Sequence, residues 1–82
     1  MNYKNYYERP ALKTMTVIKM MDLVCYVFPE VNYMNYRIDA TTKEEFVRIH
    51  FKKGGFREVC VTADSNQALV DDVWQWLKRE MG

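Results

Sequence analysis

The chain has 82 residues and a formal net charge of +1, and its composition is 49% hydrophobic and 15% aromatic. A charge so near zero supplies no global field to steer nucleic acid or an anionic membrane, so binding of either kind would need a local patch. A chain this short forms one domain, burying roughly 60 to 65% of its unfolded surface, and four Phe, six Tyr and two Trp can fill that interior with few side chains.

The opening "MNYKNYYER", residues 1–9, carries three tyrosines among polar residues with no clear period and is expected to be a flexible tail, leaving 10–82 as the single folded domain. It has no apolar core followed by small residues, so it does not read as a secretory signal. The longest apolar run, "LVCYVF" from Leu23 to Phe28, is far short of the roughly 20 residues of a spanning helix. The expectation is a soluble, cytoplasmic protein with no membrane partner.

Pro10 suits the first turn of a helix, where its missing N–H costs nothing. A helix is the better reading from Ala11 to about Val24. Leu12, Met15, Lys19 and Asp22 keep a helical spacing in part, and Met15, Met20 and Met21 favour helix. Thr14, Thr16, Val17 and Ile18 are β-branched and would also suit a strand. Pro29 should end the element near Phe28, and "PEVN" reads as a connection.

"YMNYRIDA" then alternates, with Met34, Tyr36, Ile38 and Ala40 on one face and Asn35, Arg37 and Asp39 on the other, the pattern of a half-buried strand. "TTKEE" is a polar turn. "FVRIHFKKGGFREVCVT", Phe46 to Thr62, supplies a second and third strand, with Val47, Ile49 and Phe51 facing inward and Phe46, Arg48, His50 and Lys52 outward. A three-residue loop Lys53-Gly54-Gly55 would set Ile49 opposite Val59, Val47 opposite Val61 and His50 opposite Glu58, with Gly55 in the left-handed position. A two-residue Gly54-Gly55 turn would instead mix apolar and polar faces.

The last element is a helix. Asp64 can cap it, with Gln67 at the capping-box spacing. Leu69, Val73, Trp76 and Leu77 form an apolar stripe widened by Val70 and Trp74. Asp71 and Asp72 early and Lys78 and Arg79 late complement the helix dipole.

The predicted fold is therefore α+β: a two-layer α-β-β-β-α arrangement, a three-stranded antiparallel meander with both helices packed on one face. Across about Pro10 to Met81 this order of elements resembles the double-stranded-RNA-binding domain in topology and length. That family takes its phosphate contacts from a lysine-rich start of the final helix, where this chain has "DSNQALVDD". Asp64, Asp71 and Asp72 would repel phosphate. The family's histidine-bearing loop corresponds to "TTKEE", which lacks both the histidine and the glycine-proline lead. The resemblance thus implies the fold and argues against the family's function.

With the helices on the inner face, the open sheet face displays Arg37, Asp39, Phe46, Arg48, His50, Lys52, Phe56, Glu58, Cys60 and Thr62. It can be a solvated face with cross-strand pairs such as His50 with Glu58. It can also be a partner surface, since exposed Phe and Arg are residue types that make hot spots. As a third possibility, Phe46 and Phe56 could stack single-stranded bases while Arg37, Arg48 and Lys52 meet phosphates. Edge pairing is a related possibility, because the first strand carries little charge from Tyr33 to Tyr36. Trp74 and Trp76 lie about 160° apart on the last helix; one should pack and the other lie half exposed, and Trp74 is a candidate partner anchor.

No catalytic, cofactor or metal site is expected. His50 beside Glu58 and Cys60 on an open sheet would neither exclude water nor gain an oxyanion site. "KKGG" is no phosphate loop, since its lysines precede the glycines and no helix follows. Cys25 and Cys60 are the only cysteines, in no CxxC pair, and are expected to be buried thiols; with one histidine, they fall short of a zinc site. The leading expectation is a non-enzymatic protein–protein interaction domain, an accessory or regulatory subunit or a homodimer. The alternative is a weak single-stranded nucleic-acid binder.

Overall fold

The structure, a computed structural model, describes residues 3–61 and 65–82, with side chains from Leu12 onward. Its elements run α1 (Tyr3–Val27), β1 (Val31–Ile38), β2 (Glu45–Phe51), β3 (Phe56–Cys60) and α2 (Asn66–Met81). The sheet is antiparallel in the order β1-β2-β3, and both helices lie on one of its faces, α1 against β1 and α2 against β3 and α1. This is the expected α+β meander. Among the described residues no helix is long and apolar enough to cross a membrane.

The core follows from two periodicities meeting. Val17, Met20 and Val24 recur at helical spacing on α1, and Leu69, Val73 and Leu77 do so on α2. Between them lie the inward residues of the sheet, Val31, Met34, Val47, Ile49 and Val59, with Phe28 and Val61 closing the ends. Val24, Val31, Val47, Ile49, Leu69, Val73 and Leu77 are fully buried at 0% exposure. Full burial of side chains of this kind contributes roughly 1.5–3 kcal/mol each.

Helix α1 is longer than its sequence pattern suggests. It begins at Tyr3, so Pro10 lies inside it rather than at its start, and the residues expected as a tail form its first turns from Tyr3 on. Proline's fixed φ is itself helical, so a helix can run through it by giving up the one hydrogen bond that residue would donate. The strand alternative for Thr14–Ile18 does not hold, because burial there follows the helical period. Phe28 N–H donates to Val24 O at 2.8 Å, and the chain then turns through Pro29 and Glu30 into β1.

The β2–β3 hairpin is closed by a three-residue loop, as expected, but one residue earlier along the chain. Gly54 N–H donates to Phe51 O at 2.9 Å and Phe51 N–H to Gly55 O at 3.1 Å, so the loop is Lys52-Lys53-Gly54. The bulge position falls on Gly54, at φ +99°, and Gly55 at φ +81° closes the ladder. Val47 therefore faces Val59, Arg48 faces Glu58 and His50 faces Phe56. The expected register is displaced by two residues, which preserves parity, so the paired strand residues stay on their predicted faces while Lys52 leaves the outer face for the loop. The observed pairing gains an opposite-charge pair, Arg48 with Glu58, and sets Val47 against Val59 where the expected register had Val61.

Helix α2 starts one residue later than expected. Ser65 is its N-cap, and its hydroxyl accepts from Ala68 N–H at 3.0 Å. Asp64 and Thr62 lie outside the described residues. Gln67 instead donates to Asp71 one turn on, at 2.9 Å.

Candidate functional site

On the outer sheet face, strand parity brings together Arg37 of β1, Phe46, Arg48 and His50 of β2, and Phe56 and Glu58 of β3. Lys52 stands apart as an exposed residue in the hairpin turn, beyond the end of β2. Glu58 is the hub. Arg48 Nε donates to its carboxylate at 2.7 Å and Arg37 reaches it at 3.3 Å. The Arg48 hydrogen bond, with Arg37 adding to it, holds the Glu58 carboxyl below the usual glutamate range against a desolvation that pushes the other way.

Asp39 stands 3.9 Å from Arg37. Its carboxylate accepts from the backbone N–H groups of Thr42 and Thr41, at 2.9 and 2.8 Å, and these hold its pKa below the usual aspartate range. Two guanidiniums thus meet two carboxylates and the patch is close to neutral.

Its aromatic rings are also occupied. The Arg37 guanidinium lies 4.8 Å from the centroid of Phe46, and that of Arg48 lies 4.5 Å from Phe56. Arg37 Nε is buried there without a hydrogen-bond partner. Tyr33 stacks on His50 at 4.0 Å and His50 tilts against Phe56 at 5.4 Å. His50 Nε2 donates to the Asn35 side-chain oxygen at 2.7 Å, and this contact replaces the expected pairing of His50 with Glu58. The register explains the change: Arg48, not His50, stands opposite Glu58. The predicted alternation places Asn35 on this face with Arg37, although not among the candidate site residues, and Tyr33 shares their parity, which is the signal that includes it.

Trp74 is half-buried and tilts against Phe28 with ring centroids 6.3 Å apart, and Trp76 is half-buried too. Neither stands out alone as the exposed one. Trp76, Phe51 and Met81 border open clefts of ≈ 330 and 420 Å³ between the hairpin tip and the end of α2, where Glu30, Lys53 and Glu80 mix both charge signs. Cys25 is half-buried and Cys60 exposed on the outer sheet face; both are free thiols, so burial of both is corrected. Cys60 is outward because β3 alternates and Val59 takes the inward position. Among the described residues no three His, Cys, Asp or Glu side chains gather as a metal would need.

Two features escaped the sequence reading. Inside the fold, Glu45, at the start of β2, faces inward and binds the Lys13 ammonium of α1, while Tyr36 Oη donates to the same carboxylate. Lys13 and Glu45 are 5% and 8% exposed, the two charged residues buried among those described. Burying these groups against one another with hydrogen bonds costs far less than burying either charge alone.

Outside the fold, the Leu12, Met15, Lys19 and Asp22 stripe picked out by spacing faces away from the sheet, because Lys13, Val17, Met20 and Val24 take the inward positions. Leu12, Met15, Ile18, Leu23, Tyr26 and Val27 are 48–84% exposed on this outward side. No protein-family model matches the chain, and neither a curated protein nor a solved structure does.

Proposed function

We propose that this chain is a small non-enzymatic interaction domain, an accessory or regulatory partner, that binds protein through the outward face of α1. The observation that carries this reading is the exposure of six large apolar side chains on one helix: Tyr26 at 84%, Ile18 at 58% and Leu23 at 57%, with Leu12, Met15 and Val27 about half exposed. Scattered apolar residues are ordinary on a surface, whereas six on one side of a single helix, interrupted by Lys19 and Asp22, mark an interaction site on so small a domain. The partner chemistry that fits a straight apolar stripe is another helix presenting apolar anchors at the same spacing. A reducing compartment such as the cytoplasm suits the two free thiols.

The outer sheet face gives the single-stranded nucleic-acid alternative less to stand on. Its two arginines are engaged by Glu58, one of them by Asp39 as well, and both lie over the phenyl rings that bases would need. Phosphate would have to compete with carboxylates already in place, and a base with a guanidinium. His50 is likewise held between Tyr33, Phe56 and Asn35.

The test is photo-crosslinking in the native host, with a photoreactive amino acid in place of Tyr26 and, as a control, in place of Lys53 at the exposed hairpin tip. The Tyr26 position should give a discrete adduct that the Lys53 position does not. Equal yields from the two positions would overturn the reading.

A further inference from the structure

We infer that the occupant of the α1 face is a second copy of this chain, paired antiparallel through the same helix. The inference rests on the interaction reading above and deepens it. Its ground is the arrangement of the two charges within the stripe. Leu12, Met15, Lys19, Asp22 and Tyr26 recur at alternating spacings of three and four, the seam of a two-helix coiled coil, on the side of α1 opposite Val17 and Val24. Lys19 and Asp22 are exposed in the middle of that seam, and neither forms an ion pair within the chain among the described residues.

Charges at seam positions weaken a helix pair unless each finds its opposite, so they select one orientation and register. A parallel pair in register would set Lys19 against Lys19 and Asp22 against Asp22. An antiparallel pair with its twofold axis between positions 19 and 22 sets each Lys19 against Asp22 of the second copy, and the symmetry makes the contact twice. The same register sets Met15 against Tyr26 of the second copy, with Ile18 and Leu23 flanking the seam on either side. A twofold contact requires a surface complementary to itself, and this stripe is so in charge as well as in apolar character.

The apolar side chains from Leu12 to Val27 present roughly 600 Å² per copy, or about 1,200 Å² for a pair, at the lower end of specific interfaces. Area does not fix affinity, so the strength of the dimer is read from the concentration dependence of its assembly.

Sedimentation velocity on the full chain over a rising concentration series tests this. The wild type should pass from monomer to dimer. Lys19→Asp sets Asp against Asp22 of the second copy, Asp22→Lys sets Lys19 against Lys, and each change should weaken self-association by on the order of 100-fold. An equimolar mixture of the two variants should dimerise again, because only the mixed pair meets opposite charges at both contacts. Unchanged far-ultraviolet circular dichroism checks that these exposed substitutions leave the fold intact. A wild type that stays monomeric at all concentrations overturns the inference, and so does a dimer indifferent to both charge changes, which would move the contact to the β1 edge. In the crosslinking experiment above, an adduct with a different protein would retire the second copy and keep the interaction reading, whereas no Tyr26 adduct would retire both.

Discussion

Glu45 and Glu58 are two carboxylates on opposite faces of one sheet, and each gathers donors from neighbouring elements. Glu45 on the inner face of β2 has Lys13 and Tyr36; Glu58 on the outer face of β3 has Arg37 and Arg48. The chemistry is nearly the same, but the surroundings differ. The Glu45 and Lys13 side chains are 9% and 6% exposed, whereas Glu58 and its arginines are 28–32% exposed. Water can replace a lost partner outside and cannot do so inside, so one cluster constrains how α1 sits on the sheet while the other dresses a surface.

The largest effect is expected where that contrast is broken from the inside. Glu45→Ala removes the carboxylate that meets the buried Lys13 ammonium and should destabilise the domain by about 3–5 kcal/mol in urea unfolding. Lys13→Met together with Glu45→Leu removes both charges and keeps the volume, so the double variant should recover most of that loss. Equal instability of the double and single variants would show that packing, not charge, sets the cost. Tyr36→Phe comes next. It deletes a hydroxyl donating to a buried carboxylate and should cost about 1.5–3 kcal/mol, leaving the Lys13 contact in place.

These positions also mark where the sequence was readable. Alternation in β1 and β2 and the α2 stripe gave the element order, and parity alone assigned Arg37, Phe46, Arg48, His50 and Phe56 to one face even though the hairpin register was displaced by two. That displacement was not legible, because two adjacent glycines can each take the left-handed position, and the register that uses the first exchanges the Ile49–Val59 pair for the Arg48–Glu58 ion pair. The inner ion pair was hidden because Lys13 looks like a solvated helix residue and Glu45 like part of the polar turn "TTKEE"; their contact joins positions 32 apart. The outward face of α1 was hidden for the opposite reason. Apolar residues all round a helix carry no preferred side, so the spacing at Leu12 and Met15 identified a helix without saying which face the sheet would take.

The smallest effect belongs to the outer cluster, and pH reads it best. The pKa values of the Glu58 and Asp39 carboxyls are both held below their ordinary range in the folded state, Glu58 first by the Arg48 hydrogen bond and Asp39 first by the Thr42 N–H. A lowered folded value means the folded state binds the proton less readily than the unfolded state. The contribution is then complete above the unfolded value and fades as pH falls through the folded one. Glu58→Gln should leave the melting temperature near that of the wild type at neutral pH, with any small decrease shrinking at high salt. Below about pH 4–5, where an ordinary glutamate takes up its proton, the variant should lose stability less steeply than the wild type. Melting curves across that range decide the matter: parallel acid slopes would mean that the Glu58 cluster contributes nothing that titrates, and a large loss at neutral pH would mean that the outer face is as dependent on its ion cluster as the core is on Glu45.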